Sequence, residues 1–256
     1  MRFASLGSGS GGNALLVEAD GTRILLDCGF ALSDLTARMA RLGIEPSDLD
    51  AIVVTHEHED HGGGVARLAL RHDLPVYLTH GTLAALGNER RTIRNTIPID
   101  TCAPVAIRAI EVRPYPVPHD AREPVQFVFT DGTAMLGVLT DAGRPTPHIV
   151  RALSGVNALV LECNYDIDML LDGPYPPSLK SRVAGPMGHL ANAAAAEIVQ
   201  AMDCSRLQHV IAAHLSEKNN TPALARAALA GALNCEEEWI CVATQQEGFG
   251  WRQILP

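Results

Sequence analysis

The segment Ala51-Ile-Val-Val-Thr-His-Glu-His-Glu-Asp-His-Gly-Gly-Gly64 sets three imidazoles and three carboxylates behind an apolar run and ahead of three glycines. Within it, His56, His58, Asp60 and His61 spell His-x-His-x-Asp-His. Imidazole and carboxylate are the ligands that divalent transition metals prefer, and no sulfur stands nearby. In an extended chain, residues two apart point the same way, so His56 and His58 can close on one ion. A turn then lets Asp60 and His61 face a second ion beside it. The preceding strand fixes where that turn begins, and Gly62–Gly64 let the backbone pass close to the ions before a helix starts. A solvated turn has no need of such a pattern.

A two-ion site needs more ligands, and apolar runs deliver them at their ends. His119 lies in Pro116-Val-Pro-His-Asp120, after the run that ends at Val112. Asp141 follows Leu136-Gly-Val-Leu-Thr140, and His214 follows Val210-Ile-Ala-Ala213. Any one of them alone reads as a structural residue. Together they repeat the geometry of the first motif, a strand presenting one polar side chain where α/β sites form.

The elements that must position these side chains are legible from pattern. Short apolar, β-branched runs bounded by Gly, Pro, Asn or Asp predict strands over 13–18, 23–27, 51–55, 75–78, 105–112, 125–130, 134–139, 158–162, 210–213 and 238–243. Helical spacing predicts helices over 31–42, 65–71, 147–153, 191–202 and 222–233, the last two alanine-rich as suits close packing on a sheet. Proline-rich stretches at 113–118 and 173–177 read as rigid surface turns. The pattern suits a layered α/β domain.

With 256 residues, 47% of them hydrophobic and 19% charged, the chain can bury a substantial core as a soluble globular protein. No stretch approaches the roughly 20 apolar residues of a membrane helix. No apolar signal region opens the chain, and its six cysteines form no CxxC pair, so a cytoplasmic location is expected and a thiolate metal site is not. A net charge of −9 argues against a broad nucleic-acid surface, leaving Arg90–Arg94 and Lys180–Arg182 as local basic candidates.

The chain resembles the metallo-β-lactamase-fold hydrolases, specifically the YycJ/WalJ type, a bacterial branch implicated in DNA exonuclease activity. Besides the histidine motif, the likeness rests on Ser5-Leu-Gly-Ser-Gly-Ser-Gly-Gly-Asn13, Leu25-Leu-Asp-Cys-Gly29, Val117-Pro-His-Asp-Ala121, Thr140-Asp-Ala-Gly143, Gly188-His-Leu-Ala-Asn192 and His214-Leu-Ser-Glu-Lys-Asn-Asn-Thr-Pro222. It implies a four-layer αββα sandwich over residues 1–256 as a single domain, without the inserted second domain of RNA-processing relatives. It implies one ion on His56, His58 and His119, another on Asp60, His61 and His214, and Asp141 bridging them. The ions would be zinc, manganese or iron. Asp27 reads either as a residue orienting a ligand from behind or as a strand-end turn carboxylate.

The implied activity is a phosphodiesterase, a nuclease trimming DNA from an end, with a metal-bridging hydroxide as nucleophile positioned by Asp60 and Asp141. His189, outside the seven ligands and near a helix start, would bind the scissile phosphate or protonate the leaving oxygen. Ser8 and Asn13 in the glycine-rich loop, Lys180, Arg182 and Asn219 are the substrate-contact candidates. Asn220 or Thr221 is expected to cap the helix near Pro222, and His72, His80, His148 and His209 are expected to be structural. Rival readings are hydrolysis of a thioester, lactone or β-lactam, and a non-hydrolytic di-iron or nucleic-acid-binding scaffold. Retention of His58 and of every ligand weighs against the last. Ala191 and Cys163 depart from the family pattern and bear on substrate rather than chemistry.

Overall fold

Strands that are apolar at nearly every position must be covered on both faces. The computed structural model, which describes residues 1–87 and 91–255, covers them by stacking two mixed sheets between helices. The first sheet has the order β14 (Phe249–Gln253), β1 (Arg2–Gly7), β2 (Ala14–Ala19), β3 (Thr22–Leu26), β4 (Ala51–Val53), β5 (Val76–Thr79) and β6 (Thr96–Ile99). Its pairs are antiparallel as far as β3 and parallel from there to β6. The second has the order β13 (Ile240–Val242), β12 (His209–Ala213), β11 (Ala158–Glu162), β10 (Met135–Leu139), β9 (Val125–Thr130), β8 (Ile110–Pro116) and β7 (Val105–Ile107). Here the pairs are parallel through β10 and antiparallel beyond it.

Period-two alternation sorts each strand between layers. On β3, Ile24 and Leu26 meet the opposite sheet while Leu25 meets helices. On β9, Phe127 and Phe129 point between the sheets and Val128 points outward. The inter-sheet core centres on Phe3, Phe127 and Phe129, all fully buried, each contributing about 1.5–3 kcal/mol by removal from water.

Helices α1 (Leu32–Ala40) and α3 (Val65–His72) close the outer face of the first sheet with Leu35, Met39 and Leu68. A single turn, α2 (Glu59–Gly62), precedes α3, and α4 (His80–Ala85) follows β5. Helices α5 (Pro147–Leu153), α8 (Asn192–Ala201) and α9 (Pro222–Leu233) close the second sheet, where Ala195, Ala225 and Ala230 let backbones come close. Two short helices, α6 (Ile167–Asp172) and α7 (Pro177–Val183), share a small separate cluster of Tyr165, Leu170 and Val183. The architecture is therefore the αββα sandwich. Among the described residues no helix is long and apolar enough to cross a membrane.

Several expected elements differ in their bounds for identifiable reasons. The run 105–112 is a hairpin, turning at Arg108 in the left-handed region (φ 50°) without the Asn-Gly pair that usually announces such a turn. The stretch 113–116, expected to be a turn, continues β8. Beyond Val112 that strand has lost β7 as a neighbour, and proline is tolerated at a sheet edge. Strands β1, β6 and β14 and helices α2, α4, α6 and α7 are additional to the elements read from pattern, being too short or too mixed in composition to carry a period.

The histidine loop is held by a second loop threaded beneath it. Asn13 N donates to Asp60 O at 2.8 Å, Cys28 N to His61 O at 2.7 Å and Gly64 N to Cys28 O at 2.7 Å. A Cβ on Gly29 would lie 1.9 Å from the Asp60 carbonyl oxygen, and one on Gly64 would lie 2.2 Å from that of Phe30. At Gly62 the nearest atom would be 3.6 Å away. Gly64 is thus required by the loop of residues 28–30, and Gly62 is not required at all. Gly29→Ala should lower stability by about 1–3 kcal/mol in denaturant melts, while Gly62→Ala stays within about 0.5 kcal/mol of the parent. Equal costs for the two would contradict this reading of the loop.

Candidate metal centre

Strand ends from both sheets meet at one edge of the sandwich. Asp27 directly follows β3, Thr55–His61 follow β4, His119 follows β8, Asp141 follows β10, Glu162 ends β11 and His214 directly follows β12. Three of these residues, Asp27 (φ 59°), Asp141 (φ 53°) and His214 (φ 53°), stand in the left-handed region. That conformation costs a non-glycine residue roughly 1–2 kcal/mol, so surrounding contacts must hold it. Asp27 accepts from Thr55 N at 2.8 Å, Thr55 Oγ1 at 2.9 Å and His61 Nδ1 at 2.8 Å. His214 N donates to Ser8 Oγ at 2.9 Å, and its carbonyl accepts from Asn164 Nδ2 at 2.9 Å.

Four overlapping sets of donor atoms result among the described residues, one of them Asp141, Glu162, His189 and His214, and two of them separate triads. His56, His58 and His119 form one, Asp60, His61 and His214 the other, and Asp141 groups with His56 and His61 between them. His58 Nδ1 and His119 Nε2 are 3.2 Å apart, Asp60 Oδ2 and His214 Nε2 3.4 Å, and Asp60 Oδ2 and His61 Nε2 3.5 Å. Ligands about 2.05 Å from a tetrahedral ion are separated by roughly 3.3 Å, which these spacings match. Two buried atoms point at this space without a hydrogen-bond partner, His56 Nε2 and Asp141 Oδ2. The latter lies 2.8 Å from His61 Nε2 with no aligned hydrogen bond between them. Donor atoms crowded at the spacing of ligands on one ion, two of them without a hydrogen-bond partner, suit a cation. The residues present therefore fit divalent metal ions.

The outer nitrogens of four histidines are each tied down, which fixes ring orientation. His56 Nδ1 meets Thr55 Oγ1 at 2.9 Å, His61 Nδ1 meets Asp27, His119 Nδ1 meets Gly188 O at 2.9 Å and His214 Nδ1 meets Glu162 Oε1 at 3.3 Å. Each ring then presents Nε2 to the centre. Asp27 thus contacts a candidate ligand from behind, where the sequence left its role open.

Glu162 escaped the sequence reading. It is fully buried, its Oε2 accepts from Ala142 N at 2.9 Å and Leu190 N at 3.2 Å, and its Oε1 lies 2.8 Å from His189 Nδ1. The available signal was the one that exposed Asp141, a carboxylate closing an apolar run. His189 also approaches Asp141 Oδ1 at 3.2 Å and stacks on the His214 ring at 5.4 Å. It sits three residues before α8 rather than on its first turn.

Of these residues, His58, Asp60, Asp141, His189 and His214 line a pocket of about 380 Å³ together with Ser10, Asp120, Asn164, Tyr175 and Arg182. Of the substrate-contact candidates, only Arg182 borders it. Ser8 and Asn13 are buried and bonded inward, Asn13 Nδ2 to Asp60 and His61, and the glycine-rich loop reaches the pocket through Ser10 instead. Lys180 Nζ donates to Leu171 O, and Asn219 is fully buried against Ser216. Thr221 caps α9, its hydroxyl accepting from Leu224 N, while Asn220 binds Asn192 and Cys163 O. In the basic stretch, Arg90 lies outside the described residues and Arg94 pairs with Asp73 at 3.7 Å.

Electrostatics follow from crowding imidazoles around carboxylates. Burial alone would push the Asp141 carboxyl up, but His214 and His61 hold it well below the usual range. Burial likewise pulls His214 down, and Asp141, Asp60 and Glu162 reverse this, raising it to about 9. His61 is raised for the same reason, by Asp141 and Asp27 against burial. His56 is lowered, by burial first and then by His61. At neutral pH the metal-free protein therefore carries protons on His61 and His214 that a cation must displace. Loading with zinc at pH 7.5 should release about two protons, read by calorimetry in buffers of different ionisation enthalpy. Apparent affinity should climb with pH towards about 9, where His214 loses its proton unaided. Heats independent of buffer would contradict that assignment.

Comparison with known proteins agrees with the geometry. Residues 22–214 match the family described as the β-lactamase superfamily domain. The chain is 33% identical to exodeoxyribonuclease YycJ of Bacillus anthracis, over 98% of its own length and 91% of that protein. It is 29% identical to exodeoxyribonuclease WalJ of Streptococcus pneumoniae, over 88% and 85% of the two chains. Its structure superposes on the metallo-β-lactamase fold protein YhfI from Bacillus subtilis with a TM-score of 0.76 at 18% identity, covering 98% of this chain and 99% of that one. Family match, full-length similarity and sandwich together make this chain a member of the metallo-β-lactamase-fold hydrolases, of the YycJ/WalJ type.

Proposed function

We propose that this chain is a dinuclear metal-dependent phosphodiesterase that removes nucleotides from a DNA end. The observation that carries this reading is the sharing of one buried carboxylate, Asp141, between two sets of donor atoms, with His189 held beside them at the pocket wall. The exodeoxyribonuclease names of its two full-length relatives support DNA as the substrate. His56, His58 and His119 would hold one divalent ion and Asp60, His61 and His214 the other, with Asp141 between them. When bound, such ions polarise a phosphodiester and lower the pKa of water.

The chain's own groups then have separate tasks. Asp60, at the pocket surface, and Asp141 orient the attacking water by accepting its hydrogens. His189 is set by the Glu162 carboxylate at its Nδ1. Burial opposes charge on this ring, but Glu162 and Asp141 raise it to about 11 in the metal-free protein. From that position its outer nitrogen can supply a proton to the leaving oxygen. The cytoplasm suits both a DNA substrate and six unpaired thiols.

The test is an assay of end-labelled DNA, RNA and a thioester with zinc, manganese or chelator. DNA should be shortened with metal and left intact with chelator. His61→Ala should abolish cleavage, and His189→Ala should lower kcat about 10²–10⁴-fold with metal content unchanged. Turnover of the thioester alone would replace this reading with the rival hydrolase, and undiminished cleavage in chelator would end it.

A further inference from the structure

The pocket over the metal centre has a wall of its own, carried by α6, α7 and the loop between them. Tyr175 lines that wall and packs on Tyr165, Leu170 and Val183, the cluster that joins the two helices. One cation stands over its ring, and another borders the same pocket. Lys218 Nζ stands 5.7 Å from the ring centroid. Arg182 is gripped only at Nε, by Asp120 Oδ2 at 2.7 Å, and its side chain is 63% exposed, which leaves the terminal amino groups for another acceptor. Arg182 is the one Lys or Arg among the described residues bordering the pocket. In a chain of net charge −9, Arg182 at this carboxylate-rich pocket and Lys218 over the Tyr175 ring form a local exception.

We propose that Tyr175 is the stacking platform for the base of the nucleotide being released, with Arg182 meeting its phosphate and the exposed Lys218 leaving the ring face for the adjoining backbone. This rests on the phosphodiesterase reading above and adds a substrate form to it, an unpaired strand end. Every base has a π-face, so an aromatic platform holds a terminal nucleotide without reading its identity. Guanidinium and ammonium groups supply the sequence-independent attraction to the backbone. The pocket volume of about 380 Å³ lies near the small end of ligand pockets, roughly 300–1,000 Å³, which suits one nucleotide and not a base pair. The terminal base must therefore leave its partner before it is held, as in other sites that act on single nucleotides.

The test uses the metal-loaded full chain with Tyr175→Leu and Tyr175→Phe, Leu being chosen to keep the packing against Leu170 and Val183. Labelled single-stranded oligonucleotides carry either a normal or an abasic residue at the 5′ or the 3′ end. Tyr175→Leu should raise KM for normal ends roughly tenfold, with kcat within about twofold of the parent, and Tyr175→Phe should behave as the parent. On the abasic end the parent should already show the raised KM, and Tyr175→Leu should add nothing. An unchanged KM on normal ends, or an equal rise on abasic ones, would overturn the stacking role. A parent protein that cleaves no DNA but hydrolyses another ester would instead overturn the phosphodiesterase reading, so the two failures are distinguishable.

Discussion

A carboxylate taken wholly out of water must be met by positive charge, and Asp141 is the one around which this edge of the sandwich is arranged. Its oxygens lie 2.8 Å from His61, 3.2 Å from His189, 3.6 Å from His214 and 4.0 Å from His119. Three of those imidazoles come from separate strand ends in both sheets, and His189 comes from the loop before α8. Close packing of the two sheets therefore brings charge and counter-charge to one place. Protons on the histidines balance the carboxylates when no cation is bound, and divalent ions do so when one is. The same atoms serve both conditions, which links ligation to pH.

The layers beneath explain how so polar a cluster is tolerated. Phe3, Phe127 and Phe129 bind the sheets together behind it, and helices seal both outer faces. On that base the chain holds Asp27, Asp141 and His214 in left-handed conformations that favour glycine or asparagine elsewhere. Each turns a side chain sharply off its strand and into the cluster. The offsetting interactions are hydrogen bonds with neighbouring loops, from Thr55 N to Asp27 and from His214 N to Ser8 Oγ, so the loops without ligands are as necessary as those that carry them.

Much of this was legible in residue order. His-x-His-x-Asp-His needs only local spacing, and His119, Asp141 and His214 each follow an apolar run. Helices α5 and α9 were readable to the residue because a proline starts each and the period lasts two turns or more. Glu162 carried the same strand-end signal as Asp141 but falls inside the strand, where a lone acid resembles an edge residue. Ser8, Asn13 and Asn219 resembled substrate contacts because polar side chains in glycine- and asparagine-rich loops look free. Their inward bonds depend on partners up to 206 residues away, as with Ser8 and His214. The pocket wall of α6 and α7 was hidden by prolines and by helices too brief to show a period.

The central claim is that two adjacent cations share Asp141. Anomalous diffraction from crystals grown with manganese tests it most directly. Two peaks about 3.5–4 Å apart are expected, one against His56, His58 and His119, the other against Asp60, His61 and His214, with Asp141 touching both. A single peak at full manganese occupancy, or two peaks with Asp141 turned away from either, would contradict it.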